Sequence, residues 1–178
     1  DAQESRGLGD VYKRQEFWAK PDPTRSHLGQ SLWLRLIKGM EAGRTPPTDL
    51  TVERNAGAII HELIADGLVN AVHDLSDGGL AVTLAEMALA GGIGAEADLV
   101  GNSDYTPAQW WFGEDQGRYL VTVPDVAALN AALAKGTQND ETAQIGFQRI
   151  GTVGGDAVLG VPLSELRAAN QRFFADWM

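Results

Sequence analysis

The apolar positions of this chain fall into two alternating rhythms, one of helical period and one of short buried or half-buried runs. From Leu28, the residues Leu32, Trp33, Leu36, Ile37 and Met40 recur at helical spacing, and Gly43, Pro46 and Pro47 supply a stop. A second helix is predicted from Asp49 or Thr51 to Asp66, with Ala56, Ile59, Ile60, Leu63 and Ile64 on one face and Gly67 at its end. Leu68 to His73 is short and apolar enough for a buried strand. A third helix runs from Leu80 to about Ala90, turning Leu80, Leu84, Met87 and Ala88 inward, and Gly91 and Gly92 end it.

Ile93 to Leu99 alternates like a half-buried strand, Tyr119 to Val123 reads as another, and Asp125 caps a helix through Ala134. Lys135 to Gln144 forms a polar loop. Gln148 to Val153 and Ala157 to Val161 are predicted to form a hairpin about Gly154-Gly-Asp156, and Ser164 to cap a last helix ending near Trp177. Helices alternating with strands, plus one antiparallel pair, give an α/β (α+β) domain: a mixed β-sheet flanked by helices.

Asp1 to Gln15 show neither period, and residues 1–20 are expected to be disordered or non-native, leaving one domain over residues 21–178. The stretch Gly7 to Gln15 resembles read-through peptide foreign to the gene; the alternative is a natural linker.

Composition narrows the chemistry. With no cysteine in 178 residues, disulfides, thiolate nucleophiles and cysteine-bound metals are excluded. A formal charge of −10 argues against nucleic-acid binding, which draws on clustered lysine and arginine. The three histidines, His27, His61 and His73, lack the spacing of a helical zinc pair. No apolar run of membrane length and no signal-peptide pattern occurs, so the expected location is cytoplasmic, with no membrane partner.

Two segments could carry chemistry. The first, His73-Asp-Leu-Ser-Asp-Gly-Gly-Leu80, lies between a predicted strand and a helix start. Free N–H groups and paired glycines there suit a phosphate, so Asp74, Ser76, Asp77, Gly78 and Gly79 are candidate nucleotide or phosphate contacts. Asp74 and Asp77 oppose a bare phosphate, because their charges offset the helix-dipole attraction of about 0.3–1 kcal/mol; Mg²⁺ would reconcile the two. The competing assignment is local: Ser76 or Asp77 caps the helix, Asp74 stabilises the turn and His73 ends the strand.

The second segment is Phe112-Gly-Glu-Asp-Gln-Gly-Arg-Tyr119. Glu114 and Asp115 are candidate Mg²⁺ ligands and Arg118 a phosphate contact; the alternative is a solvated loop with a surface ion pair. Trp110, Trp111 and Phe112 are read as core or interface residues, since neighbours on an extended chain face opposite ways.

The string Ala71-Val-His-Asp-Leu-Ser-Asp-Gly-Gly-Leu-Ala-Val-Thr-Leu-Ala-Glu-Met87 resembles the signature of the last domain of the phosphoribosylformylglycinamidine synthase family. His27 to Trp33, Phe112 to Tyr119 and Ile150 to Gly155 agree with it in type and order. Related superfamily members, such as aminoimidazole ribonucleotide synthetase, carry different residues at Ser76 to Gly79.

The resemblance implies the C-terminal domain of an ATP-dependent ligase of purine biosynthesis, in which ATP and glutamine-derived ammonia convert formylglycinamide ribonucleotide to its amidine. It implies ATP and Mg²⁺ as cofactors, with a nucleotide as the small-molecule substrate. Implied partners are the upstream domains of the same synthetase, a separate glutaminase subunit and a small accessory subunit. It places the catalytic residue upstream and none in this chain, so that the isolated fragment is expected to be inactive. Two alternatives stay open: a structural docking domain with no ligand of its own, and another ATP-dependent synthetase or kinase of the superfamily.

Overall fold

The computed structural model describes residues 15–19 by their backbone, and residues 28–97, 105–136 and 146–177. The proposed read-through stretch before Gln15, His27 and most of the predicted 135–144 loop lie outside the described residues. Described strands are β1 (Gln15–Ala19), β2 (Ala71–Asp74), β3 (Ala95–Ala97), β4 (Tyr119–Thr122), β5 (Phe147–Val153), β6 (Ala157–Val158) and β7 (Val161–Pro162). Helices are α1 (Leu32–Lys38), α2 (Leu50–Ala65), α3 (Gly79–Gly91), α4 (Pro107–Phe112), α5 (Val126–Gly136) and α6 (Leu163–Trp177). The strands make a sheet of order β2-β4-β1-β5-β3-β6-β7. It is mixed, because β3 pairs parallel with β6 while the other pairings are antiparallel.

Alternation along β4 divides the core. Leu120 joins Leu80, Leu84 and Ala88 of α3, Trp110 of α4 and Ile150 of β5 on one face. Val121 and Val123 point the other way, packing with Ile60 and Leu63 of α2 and Leu129 of α5. These side chains are at most 8% exposed, so both faces are covered and the fold is the expected helix-flanked mixed sheet.

Local signals explain the helix ends. Asp49 Oδ1 accepts the N–H groups of Thr51 and Val52, and Asp125 Oδ1 those of Ala127 and Ala128. α1 stops at Gly39, whose φ of 63° makes it a left-handed cap, four residues before the predicted stop at Gly43. Its Leu36, Ile37 and Met40 are exposed, so the helical apolar pattern there does not face the described core.

The structure departs from expectation at three further places. Residues 15–19 form β1, hydrogen-bonded between β4 and β5, although five residues are too few to reveal a period. The predicted hairpin about Gly154 to Asp156 is not formed: β3 lies between β5 and β6, held by Gly94 N–H to Gly155 O and Gly154 N–H to Gly94 O. A side chain at Gly94 would run into the backbone of Ala157, so glycine is what lets β3 enter. The tight antiparallel turn is instead Leu159-Gly160, both at positive φ, between β6 and β7.

The third departure is α4. Residues Trp110 to Phe112 are helical rather than extended, behind a Thr106–Gln109 capping box with Pro107 in the first turn.

Candidate functional site

The two segments singled out by sequence lie against each other at one end of the sheet. β2 and β4 are antiparallel neighbours with Asp74 opposite Tyr119, so the loop after β2 meets the loop before β4. Leu75 is buried and its N–H donates to Arg118 O at 2.9 Å, which fastens the first loop to the second. His73 Nδ1 lies 2.7 Å from Asp74 O, and its Nε2 lies 3.3 Å from Glu86 Oε2 on α3.

After Leu75 the chain surfaces. Asp74, Ser76 and Asp77 are exposed, while Gly78 and Gly79 are buried. Gly78 is the N-cap of α3 at φ 80°, and no side chain caps the helix from that position; neither Ser76 nor Asp77 is the N-cap. The Gly78 N–H donates instead to Glu114 Oε1 at 2.8 Å. That same oxygen accepts the Leu32 N–H, at the start of α1, also at 2.8 Å. Gly79 is explained by packing: a Cβ there would lie 2.7 Å from Gly113 O and 2.9 Å from Phe112 C.

Asp115 and Arg118 form a buried pair. Arg118 Nη1 donates to Asp115 Oδ2 at 3.1 Å and to Gly113 O at 3.3 Å. Burial lowers the guanidinium pKa from its ordinary value, and the charge of Asp115 opposes that shift. Arginine's high intrinsic pKa keeps the guanidinium charged. Tyr119 next door is shifted upward, first by burial and then by the charges of Glu53 and Asp74.

The candidate residues therefore divide by exposure. Asp74, Ser76 and Asp77 form an exposed acidic rim, and Gly78, Gly79, Asp115 and Arg118 lie buried beneath it. Glu114, half-buried, joins the two helix starts. One oxygen of Glu114 is committed to two N–H groups and one of Asp115 to Arg118, so the expected Mg²⁺ pair is engaged in internal bonds. Among the described residues no group of three Asp, Glu, His or Cys could hold a metal.

Sequence reasoning gave no role to the Leu32 N–H, Ser31 or Glu53. Ser31 is 1% exposed; its Oγ donates to Leu28 O and accepts from Leu34 N–H, and its place within the His27 to Trp33 stretch was the available signal. Away from the loop lies a cavity of about 1010 Å³ between α3 and the sheet, lined in part by His73, Leu84, Glu86, Met87 and Asn170. It does not include Ser76, Asp77, Glu114, Asp115 or Arg118. No helix among the described residues is long and apolar enough to cross a membrane.

Residues 24–163 match the profile of the family described as AIR synthase related protein, C-terminal domain. The phosphoribosylformylglycinamidine synthase subunit PurL of Erythrobacter litoralis is 74% identical over 163 residues, which is 92% of this chain and 22% of that protein. The corresponding subunit of Zymomonas mobilis is 44% identical over 168 residues, again 92% of this chain and 22% of the relative. This chain thus spans about a fifth of the length of these curated relatives. Among solved structures, T. maritima PurL complexed with FGAR overlays with a TM-score of 0.66 at 16% identity, covering 88% of this chain and 28% of that one. T. maritima PurL complexed with AMPPCP gives a TM-score of 0.61 at 16% identity, covering 88% and 25%. At that identity the overlays establish the shared fold.

Proposed function

This chain belongs to the family of AIR synthase related protein C-terminal domains, and from that premise we propose that it forms the C-terminal part of an ATP-dependent phosphoribosylformylglycinamidine synthase. The observation that carries the proposal is 74% identity to such a subunit across 92% of the chain. In the reaction, ATP phosphorylates the amide oxygen of formylglycinamide ribonucleotide, turning a poor leaving group into a good one. Ammonia then displaces phosphate to leave the amidine, with ADP and phosphate as the other products. The catalytic residue and most of the ATP and substrate contacts lie in the upstream domains, and this chain works with them in the cytoplasm, beside a glutaminase subunit and a small accessory subunit.

Within that enzyme, Asp74, Ser76 and Asp77 face the nucleotide across the cleft to the upstream domains. Asp74 and Asp77 would help hold Mg²⁺ beside the nucleotide phosphates, where the ion would supply charge neutralisation for phosphoryl transfer. Their exposed carboxylates are free of the helix cap and open to solvent, and Ser76 would supply a hydroxyl donor. Gly78, Gly79, Asp115 and Arg118 hold the rim from below.

One observation favours a second reading, a docking domain with no ligand of its own: the Gly78 N–H is already taken by Glu114. The test is a chimaera in which this chain replaces the corresponding C-terminal segment of a PurL subunit. Turnover that depends on ATP, ammonia and formylglycinamide ribonucleotide, and falls with Asp77→Ala, supports the ligase role. A folded, assembled chimaera whose nucleotide kinetics ignore Asp77→Ala supports the docking role.

A further inference from the structure

Three segments distant in sequence meet at one oxygen atom. Glu114 Oε1 accepts the Leu32 N–H and the Gly78 N–H, each at 2.8 Å, across separations of 82 and 36 residues. Both donors stand at helix starts, where unpaired N–H groups and the helix dipole favour negative charge. The carboxylate comes from the residue after Gly113, whose backbone also packs against Gly79. On its other side, Trp33 stacks on Phe112 with ring centroids 6.4 Å apart. Residues 35–40 of the α1 segment are exposed, so the anchoring of this arm is concentrated at its start.

We propose that Glu114 is a positioning residue: as a fixed internal anion it holds the start of α1 to the start of α3 and occupies the point where a phosphate would otherwise meet the Gly78 N–H. The nucleotide is then met by the exposed rim of Asp74, Ser76 and Asp77. The backbone of Gly78 and Gly79 serves the clamp instead. A carboxylate suits this place because one acceptor must take two charge-assisted bonds, which are shorter and stronger than neutral ones. The clamp itself stands on the geometry; its effect on nucleotide binding rests on the function proposed above.

The first arm of the test uses this chain and follows the backbone amides of Leu32 and Gly78 by nuclear magnetic resonance. In Glu114→Ala both amide protons should move upfield together and exchange with solvent about tenfold or more faster. Formate should restore both signals by occupying the vacated point. Glu114→Gln keeps an acceptor oxygen and should retain both contacts in weakened form, which preserves the test should the alanine variant fail to fold. If either amide is unmoved in the folded variants, or formate restores neither, the proposal is overturned.

The second arm measures the full-length synthetase carrying this domain. Glu114→Ala should raise KM for ATP about tenfold with kcat within about twofold, and Glu114→Gln should stay near wild type. Coupled amides with an ATP KM that responds to Asp77→Ala but not to Glu114→Ala would overturn the positioning role. Coupled amides with ATP kinetics indifferent to both substitutions would instead overturn the nucleotide-facing function on which this arm rests.

Discussion

Arg118 and Asp115 meet through a 3.1 Å contact between Nη1 and Oδ2, and both side chains are at least nine-tenths buried. Loss of one partner strands a charge in the interior, and the cost of that is larger than the net worth of the intact pair. Asp115→Ala should therefore destabilise the domain by about 3–5 kcal/mol. The double variant Asp115→Ala/Arg118→Met should recover more than half of that loss, because it removes the buried cation that Asp115 balances. Urea midpoints at unchanged slope check both statements. Additive single losses would show that the pair is not coupled.

Gly79 and Gly92 have nearly equal positive φ, 63° and 64°, yet different surroundings. A Cβ at Gly92 meets nothing within 4 Å, whereas one at Gly79 meets the backbone of Phe112 and Gly113 at 3.0 Å or less. Gly92→Ala should cost only the left-handed penalty of about 1–2 kcal/mol. Gly79→Ala should cost at least about 1 kcal/mol more, since a backbone neighbour cannot rotate away. Equal losses of stability in the two variants would contradict the packing explanation.

Tyr119 titrates above the ordinary value of tyrosine because of burial, then Glu53, then Asp74. In the unfolded chain its phenol ionises near pH 10, while the folded chain still holds the proton, so the folded state binds more protons over that interval. The sign follows: stability is retained below about pH 10 and lost as pH rises through the folded value. Tyr119→Phe should flatten this alkaline loss, and Glu53→Gln should reduce it. Urea midpoints at neutral pH and above the unfolded value read the difference; parallel curves for wild type and Tyr119→Phe would refute it.

Much of this architecture was legible because it is local. The caps at Asp49 and Asp125 and the apolar faces carrying Leu63 and Leu84 declare themselves within a few residues. What escaped depends on distant partners. β1 is too short to show a period and is held by β4 and β5, and the separation of β5 from β6 requires β3 to enter between them. α4 was local and still missed, since the Thr106-Pro-Ala-Gln109 signature preceded aromatic residues that suggested extended chain. At the site, sequence identified both segments, and only the fold shows that Glu114 bonds to the start of α3 while Asp74, Ser76 and Asp77 remain exposed.

The most direct measurement is KM for ATP of the full-length synthetase carrying this domain with Asp77→Ala, at saturating formylglycinamide ribonucleotide and ammonia. If the exposed rim faces the nucleotide, the variant should fold and assemble normally while KM for ATP rises about tenfold, the effect of losing one charge-mediated contact. An unchanged KM and kcat in an assembled enzyme would contradict that placement and leave the domain with a docking role.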